Sequence, residues 1–165
     1  MHILPETPND REAIFALTQA AFKDNPHSQQ TEGYITNALR EAGALTLSLV
    51  ARVDGRVAGH VAFSPVAISD GSADWYGLGP VAVLPELQGR GIGAALIRDG
   101  LARLEALGAA GCVVMGDPAY YTRFGFAQTP ALTYPGVPPE YFMAQVYTRP
   151  AQGDVAYHKA FEATA

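Results

Sequence analysis

The segment best suited to bind a ligand is a glycine-rich turn at the start of a predicted helix. Gly89, Gly91 and Gly93 stand at alternate positions, and an amphipathic run follows them directly. Glycine lets the main chain approach a ligand closely, and the first turn of a helix has backbone amides without partners inside the helix. These amides and the helix dipole suit a phosphate or pyrophosphate, and Arg90 adds a charge-assisted contact. Residues 88–94 are therefore predicted to bind an anion, and a turn used only for tight packing is the less favoured interpretation.

Two common phosphate-binding signatures do not fit this loop. The dinucleotide fingerprint needs its glycines directly after a strand and an acidic residue about twenty residues further on. Here residues 84–88 intervene, Asp117 lies too far along the chain and before a proline, and Glu105 lies within the predicted helix. A P-loop is excluded because no Gly-Lys-Ser/Thr follows the glycines.

The cysteine and the histidines do not form the pattern of a metal site. Cys112 is the only cysteine, so it cannot form a disulfide within the chain, and its apolar neighbours are typical of a buried strand. The four histidines, at positions 2, 27, 60 and 158, lack the close spacing of side chains that bind one metal ion. We therefore expect no metal and a structural role for Cys112.

Composition indicates a folded domain with one core. Of the 165 residues, 48% are hydrophobic and 16% are charged, which argues against disorder, and no uncharged apolar run is long enough to span a membrane. The net charge of −5, without a dense run of Lys and Arg, disfavours nucleic acid and anionic membranes as partners. The first residues lack the basic and apolar regions of a secretory signal, so we expect a cytoplasmic protein.

The helices and strands that position the loop can be predicted from the spacing of apolar residues. Helical spacing predicts helices at about residues 7–23, 31–42 and 91–107, and β-rich runs predict strands at about residues 45–53, 57–68, 75–83, 111–116 and 143–147. Asp54-Gly55 suits a tight hairpin turn between the first two strands. The residues after Arg149 are weakly patterned, and we expect them to pack loosely or to contact a second subunit. This order predicts a mixed α+β fold with helices on both faces of the sheet.

Two motifs in this arrangement resemble those of the GNAT superfamily of acyl-CoA N-acyltransferases. Gln88-Gly89-Arg90-Gly91-Ile92-Gly93 is similar to the family signature Q/R-x-x-G-x-G/A, and Val81-Ala82-Val83 with Pro85 is similar to the strand and the proline that precede it. Tyr121-Thr122-Arg123-Phe124-Gly125-Phe126 is similar to the family motif Y-x-x-x-G-F. The two motifs flank one predicted helix and one predicted strand, as they do in the family.

The resemblance spans residues 3–147 and implies a GNAT-like fold, with a central, mostly antiparallel twisted sheet. Residues 1–149 would form a single N-acetyltransferase domain, with residues 150–165 as the C-terminal tail of the same domain. Within the superfamily, residues 59–65 and 116–121 resemble the YhbS-like group of bacterial N-acetyltransferases.

The resemblance also implies acetyl-CoA as co-substrate and names the residues that would bind it. Backbone groups of the strand would pair with the pantetheine arm like an added strand, and an amide at its Val81 end could polarise the thioester carbonyl. Amides of the glycine loop would hold the pyrophosphate. The residues assigned to CoA in this way are Val81, Ala82, Val83, Gln88, Gly89, Arg90, Gly91, Ile92, Gly93 and Ala94.

Tyr121 matches the family position that protonates the departing thiolate. A phenol with a pKa near 10 stays protonated at neutral pH, while a thiol with a pKa near 8.5 still benefits from a proton donor. Tyr120 is the competitor for the same role. The Asn-x-x-Ala stretch that usually precedes this tyrosine is replaced here by the shorter Gly116-Asp117-Pro118-Ala119, which leaves the donor geometry open.

The sequence leaves the general base and the acceptor undefined. Four residues are candidates for the base, and for the first of them a structural role is favoured: His60, Asp117, Glu86 and Asp74. The predicted function is acetyl transfer from acetyl-CoA to a small-molecule or peptide amine by direct attack, and the alternative is a non-catalytic module that binds acyl-CoA. A homodimer is possible.

Overall fold

The computed structural model describes residues 1–165, which form four α-helices and eight strands. The helices are α1 (Arg11–Phe22), α2 (Glu32–Glu41), α3 (Ile92–Ala106) and α4 (Pro118–Tyr121). The strands are β1 (His2–Pro5), β2 (Leu47–Val53), β3 (Arg56–Ile68), β4 (Trp75–Val83), β5 (Gly111–Met115), β6 (Leu132–Thr133), β7 (Phe142–Val146) and β8 (Gly153–Tyr157). None of the helices has the length and the apolar content that a membrane crossing requires.

The strands follow the order β1-β2-β3-β4-β5-β7, and every pair on this path is antiparallel except β4 with β5. The first four strands form a meander, in which Asp54 and Gly55 both have positive φ in the turn between β2 and β3. Helix α3 provides the long connection that the parallel pair needs. The predicted α+β fold with a mostly antiparallel sheet is confirmed.

The parallel pair β4 and β5 is joined at one end only. Their register runs from Trp75 opposite Gly111 to Gly77 opposite Val113 and stops there. Relative to β3, strand β4 carries an extra residue between Leu78 and Val81, and such a bulge bends a strand. The edge of β4 after Gly77 that faces β5 therefore has no strand partner. This edge offers unused backbone donors and acceptors.

Helices cover both faces of the sheet. On one face α3 packs against β2 and β3 so closely that a Cβ on Gly100 would lie 2.3 Å from the Phe63 ring. Leu96, Ile97 and Leu104 of α3 are fully buried in the larger core cluster, which also contains Cys112. Helices α1 and α2 lie on the other face. Burial of Cys112 in β5 confirms the buried strand that its apolar neighbours predicted.

The sixteen residues after Arg149 include a paired strand, so the expectation that this segment packs loosely is wrong. Strand β8 pairs with the end of β3, with Val66 opposite Tyr157 and Ile68 opposite Val155, and also with β6. The side chain of Val155 is only 2% exposed. The sequence did not reveal this strand because it has only five residues, of which Val155 and Tyr157 pack against the core, and this pattern is too short to predict a strand. Strand β1 was missed for a similar reason, since it has four residues and ends on a proline.

Candidate active site

A cleft of about 490 Å3 lies between β4, the start of α3, α4 and the end of α1. The residues assigned to CoA from the sequence line it, with the exception of Arg90, whose side chain is exposed on the loop. The cleft is lined by Ala21, Phe22, Asn25, Val81, Ala82, Val83, Leu87, Gln88, Gly89, Gly91, Ile92, Gly93, Ala94, Tyr120 and Arg123. The structure therefore brings the strand and the glycine loop to one site. The contributions of α1 and of Arg123 were not predicted.

The glycine loop places unpaired backbone amides at the wall of the cleft. Gly89 and Gly91 have φ of +77° and +83°, a region that glycine adopts without strain, and Gly91 is the N-cap of α3. No side chain caps this helix, and its first intrahelical hydrogen bond runs from the Ala95 amide to the Gly91 carbonyl oxygen, 3.0 Å. The amides of residues 92–94 thus have no partner inside the helix. Gln88 donates from Nε2 to the carbonyl oxygen of Val83, 3.0 Å, which ties the loop to the end of β4.

Tyr120 and Tyr121 have different surroundings on the short helix α4. Tyr120 lines the cleft, and its hydroxyl would lie 3.3 Å from a Cβ placed on Gly93. Tyr121 is not a lining residue. Its ring lies against Gly116, where an added Cβ would be 2.4 Å from Cε2, and it meets Phe126 edge-on with the ring centroids 6.1 Å apart.

Burial has a clear effect on the phenol of Tyr121. Desolvation, with a smaller contribution from Tyr120, raises the pKa of Tyr121 to about 12. Desolvation also raises the pKa of Tyr157, and Cys112, Tyr134 and Tyr121 add to this rise. Tyr121 therefore stays protonated at neutral pH.

His60 belongs to a buried polar network and not to the cleft. It is 1% exposed, and its Nε2 lies 2.8 Å from Ser48 Oγ. Ser48 donates to the carboxylate of Glu6, which also accepts two hydrogen bonds from Arg40, at 2.9 and 3.0 Å. Burial lowers the pKa of His60 to about 4, although the Glu6 charge opposes this change. The favoured structural role of this histidine is consistent with these contacts.

The three carboxylates considered as a base also lie outside the cleft lining. Asp117 accepts a hydrogen bond from the Ala119 amide at 2.9 Å and so caps α4. Glu86 pairs with Arg56 at 2.9 Å, and Asp74 pairs with Arg149 at 3.1 Å, all on the surface. No histidine or carboxylate lines the cleft. The chain also contains no group of three or more His, Cys, Asp or Glu side chains that could hold a metal ion.

Comparison with known proteins identifies the family to which this fold belongs. Residues 11–126 match the family model described as acetyltransferase (GNAT) family. The chain is 42% identical over 127 residues to the uncharacterized N-acetyltransferase YhbS of Escherichia coli (strain K12). The aligned residues cover 76% of this chain and 73% of that protein.

Two crystal structures are similar over almost the whole chain. A GNAT family acetyltransferase from Brucella melitensis in complex with acetyl-CoA is 52% identical, covers 97% of both chains and has a TM-score of 0.87. YhbS from Escherichia coli in complex with CoA is 35% identical, covers 99% of this chain and 93% of its own, and has a TM-score of 0.89. The family match spans both motifs identified in the sequence, and the chain belongs to the GNAT family of acetyltransferases.

Proposed function

We propose that the protein transfers an acetyl group from acetyl-CoA to a primary amine, with both substrates bound at the same time. One observation carries this proposal: an uncapped helix start and the free edge of β4 line the same cleft. The first suits a pyrophosphate and the second suits the amide-bearing pantetheine arm. The Brucella melitensis protein, 52% identical, was crystallised with acetyl-CoA, which supports the same cofactor here.

Different residues of this chain would bind the co-substrate and assist the transfer. The amides of residues 92–94 hold the pyrophosphate, and backbone groups of residues 81–83 orient the pantetheine arm. When bound, acetyl-CoA supplies a thioester that a neutral amine can attack without a covalent enzyme intermediate. In the transfer a C–N bond forms and the C–S bond breaks. Tyr121 holds a proton on its hydroxyl oxygen for the departing sulfur, and the phenolate regains a proton from the acylated nitrogen or from water.

The surroundings of Tyr121 are compatible with such a donor. Its raised pKa keeps the hydroxyl protonated at neutral pH. Its position beside the open end of the β4 and β5 pair, next to Gly116 at the end of β5, supports a role near the thioester. The acceptor is a primary amine on a small molecule or a peptide.

A non-catalytic acyl-CoA-binding module is the second candidate function. It is favoured by the absence of Tyr121, and of any histidine or carboxylate, from the residues that line the cleft. Such a module would bind acyl-CoA with the same strand and loop. It would not transfer the acyl group and would therefore not form free CoA.

Thermal unfolding and a thiol-release assay distinguish the two functions. Acetyl-CoA and CoA should both raise the melting temperature, because a ligand that binds only the folded state stabilises it. Release of free thiol from acetyl-CoA should depend on protein and on an added amine, tested with a panel of amino acids, diamines and short peptides. Binding without amine-dependent release for the whole panel would favour the module, and no thermal shift would exclude both functions.

A further inference from the structure

Two arginines without carboxylate partners, Arg98 and Arg123, lie over the same aromatic ring, and Arg123 lines the cleft. Of the nine arginines in the chain, five form salt bridges with Asp or Glu: Arg40, Arg52, Arg56, Arg103 and Arg149. Of the remaining four, Arg90, Arg98 and Arg123 belong to the glycine loop, α3 and the segment after α4, while Arg11 starts α1. In a chain with a net charge of −5, Arg98 and Arg123 concentrate free positive charge around Phe124.

Aromatic rings hold two of these guanidinium groups in place. The Arg123 Cζ lies 4.5 Å from the ring centroid of Tyr120 and 5.6 Å from that of Phe124. The Arg98 Cζ lies 4.9 Å from the Phe124 centroid. Arg123 also donates from Nε to the Tyr120 carbonyl oxygen, 3.3 Å. Stacking and this hydrogen bond fix the guanidinium plane and leave both terminal NH2 groups of Arg123 free to donate.

The arginine pair is connected to the glycine loop through Tyr120. The hydroxyl of Tyr120 lies over Gly93 at the start of α3, and Arg123 stacks on the same ring and lines the same cleft. The amides of residues 92–94 suit the pyrophosphate. CoA carries one further phosphate, on the ribose 3′ oxygen, and an arginine fork matches phosphate oxygens in a bidentate geometry.

We propose that Arg123, held by Tyr120 and assisted by Arg98 across Phe124, binds the 3′-phosphate of CoA. This inference rests on the proposed function, since it requires that the pyrophosphate occupies the glycine loop. It assigns to α4 and the segment after it a share in nucleotide recognition, and it makes the protein selective for CoA over 3′-dephospho-CoA. Arg90, although nearest to the glycines in sequence, is exposed and does not line the cleft.

Isothermal titration of the full chain with CoA and with 3′-dephospho-CoA tests the assignment. The unaltered protein should bind CoA about tenfold or more tightly than 3′-dephospho-CoA, the effect of one charged hydrogen-bond pair. Arg123→Gln should abolish this preference by weakening CoA alone, and Arg123→Lys should restore part of it. Arg98→Gln should reduce the preference less. Arg11→Gln, which removes the same charge at the far end of α1, is the matched control and should leave both affinities unchanged.

The possible failures are distinguishable. If Arg123→Gln weakens both ligands equally, Arg123 contacts a group that they share, and the 3′-phosphate assignment is wrong. If the unaltered protein binds both ligands with equal affinity, the assignment is also wrong while the proposed function stands. If neither ligand binds, the proposed function itself fails. Melting temperatures of all variants, recorded without ligand, check that the fold is intact.

Discussion

Tyr120 and Tyr121 are neighbours in the chain, but only Tyr120 lines the cleft. Successive side chains on a helix point about 100° apart, so one faces the glycine loop while the other packs against Gly116 and Phe126. The two phenols can therefore be tested separately. We expect Tyr120 to affect the affinity for CoA, because Arg123 stacks on its ring. We expect Tyr121 to affect the rate of acyl transfer.

Replacing Tyr121 by Phe removes the hydroxyl and keeps the ring, so packing and CoA affinity should hardly change. The expected fall in kcat is about 10²- to 10⁴-fold if the phenol donates the proton. Steady-state thiol release gives kcat, and titration gives the affinity. Tyr120→Phe is the matched control.

The loss in Tyr121→Phe should shrink with an acyl donor whose leaving thiol has a lower pKa, because a better leaving group needs less protonation. Equal losses in both tyrosine variants, or a loss that does not respond to the leaving group, would rule out Tyr121 as the acid.

His60 should make the free energy of unfolding depend on pH. Its pKa is about 4 in the folded protein and near 6.5 when unfolded, so between these values the unfolded state binds the proton. The contribution of His60 to the free energy of unfolding is complete above pH 6.5 and is lost as the pH falls towards 4. The free energy of unfolding is then lower by about 3 kcal/mol. Urea unfolding between pH 7 and pH 4 measures the slope.

His60→Gln keeps an amide donor near Ser48 but cannot titrate, so its unfolding free energy should vary less over this pH range. His27→Gln, at an exposed position, is the control and should follow the unaltered protein. The lowered pKa values of Glu6 and Asp10 add a further loss only below their usual values of 4.5 and 3.8. An unchanged slope in His60→Gln would contradict the low pKa.

At the scale of elements, the turn before α3 can be tested against a matched turn elsewhere. Gly91 and Gly43 both have positive φ, +83° and +68°, and a Cβ on either would meet no atom within 4 Å. Alanine at each site should cost about 1–2 kcal/mol from backbone strain alone. Gly91→Ala should in addition weaken CoA about tenfold, because the strain shifts the amides that face the cleft. Thermal unfolding and titration with CoA compare the two variants. Equal CoA affinities would show that the loop is not part of the binding site.

The elements that the sequence predicted are those whose pattern is local. The glycines before α3 and the apolar positions of β3 repeat within a few residues, so they predict the loop and the strand without knowledge of the fold. Strand β8 depends on pairing with residues 66–68, which are distant in sequence, and only Val155 and Tyr157 mark its buried side. Arg123 was missed as a lining residue for the same reason, because its approach to the cleft depends on how α4 packs against α3.

At the scale of the molecule, β8 joins the end of β3 to the C-terminal part of the chain. Val155 packs in the second core cluster with Trp75 and Val113, although these residues lie 80 and 42 positions earlier in the sequence. Val155→Ala should therefore lower the free energy of unfolding by about 2 kcal/mol. Ala156→Ser, on the exposed side of the same strand, is the control and should stay within about 0.5 kcal/mol. Chemical denaturation measures the free energy of unfolding of both variants. Equal losses would mean that β8 adds little to the stability of the core.

The position of β8 in the chain also has a consequence for biosynthesis. The ribosome makes this strand after every other strand of the sheet, at about 5–20 residues per second. Until β8 emerges, the end of β3 lacks its pairing partner and the apolar side chains of Val66 and Trp75 lack part of their cover. Nascent chains and fragments that stop before residue 153 should therefore be prone to aggregation and should depend on chaperones more than the finished protein does.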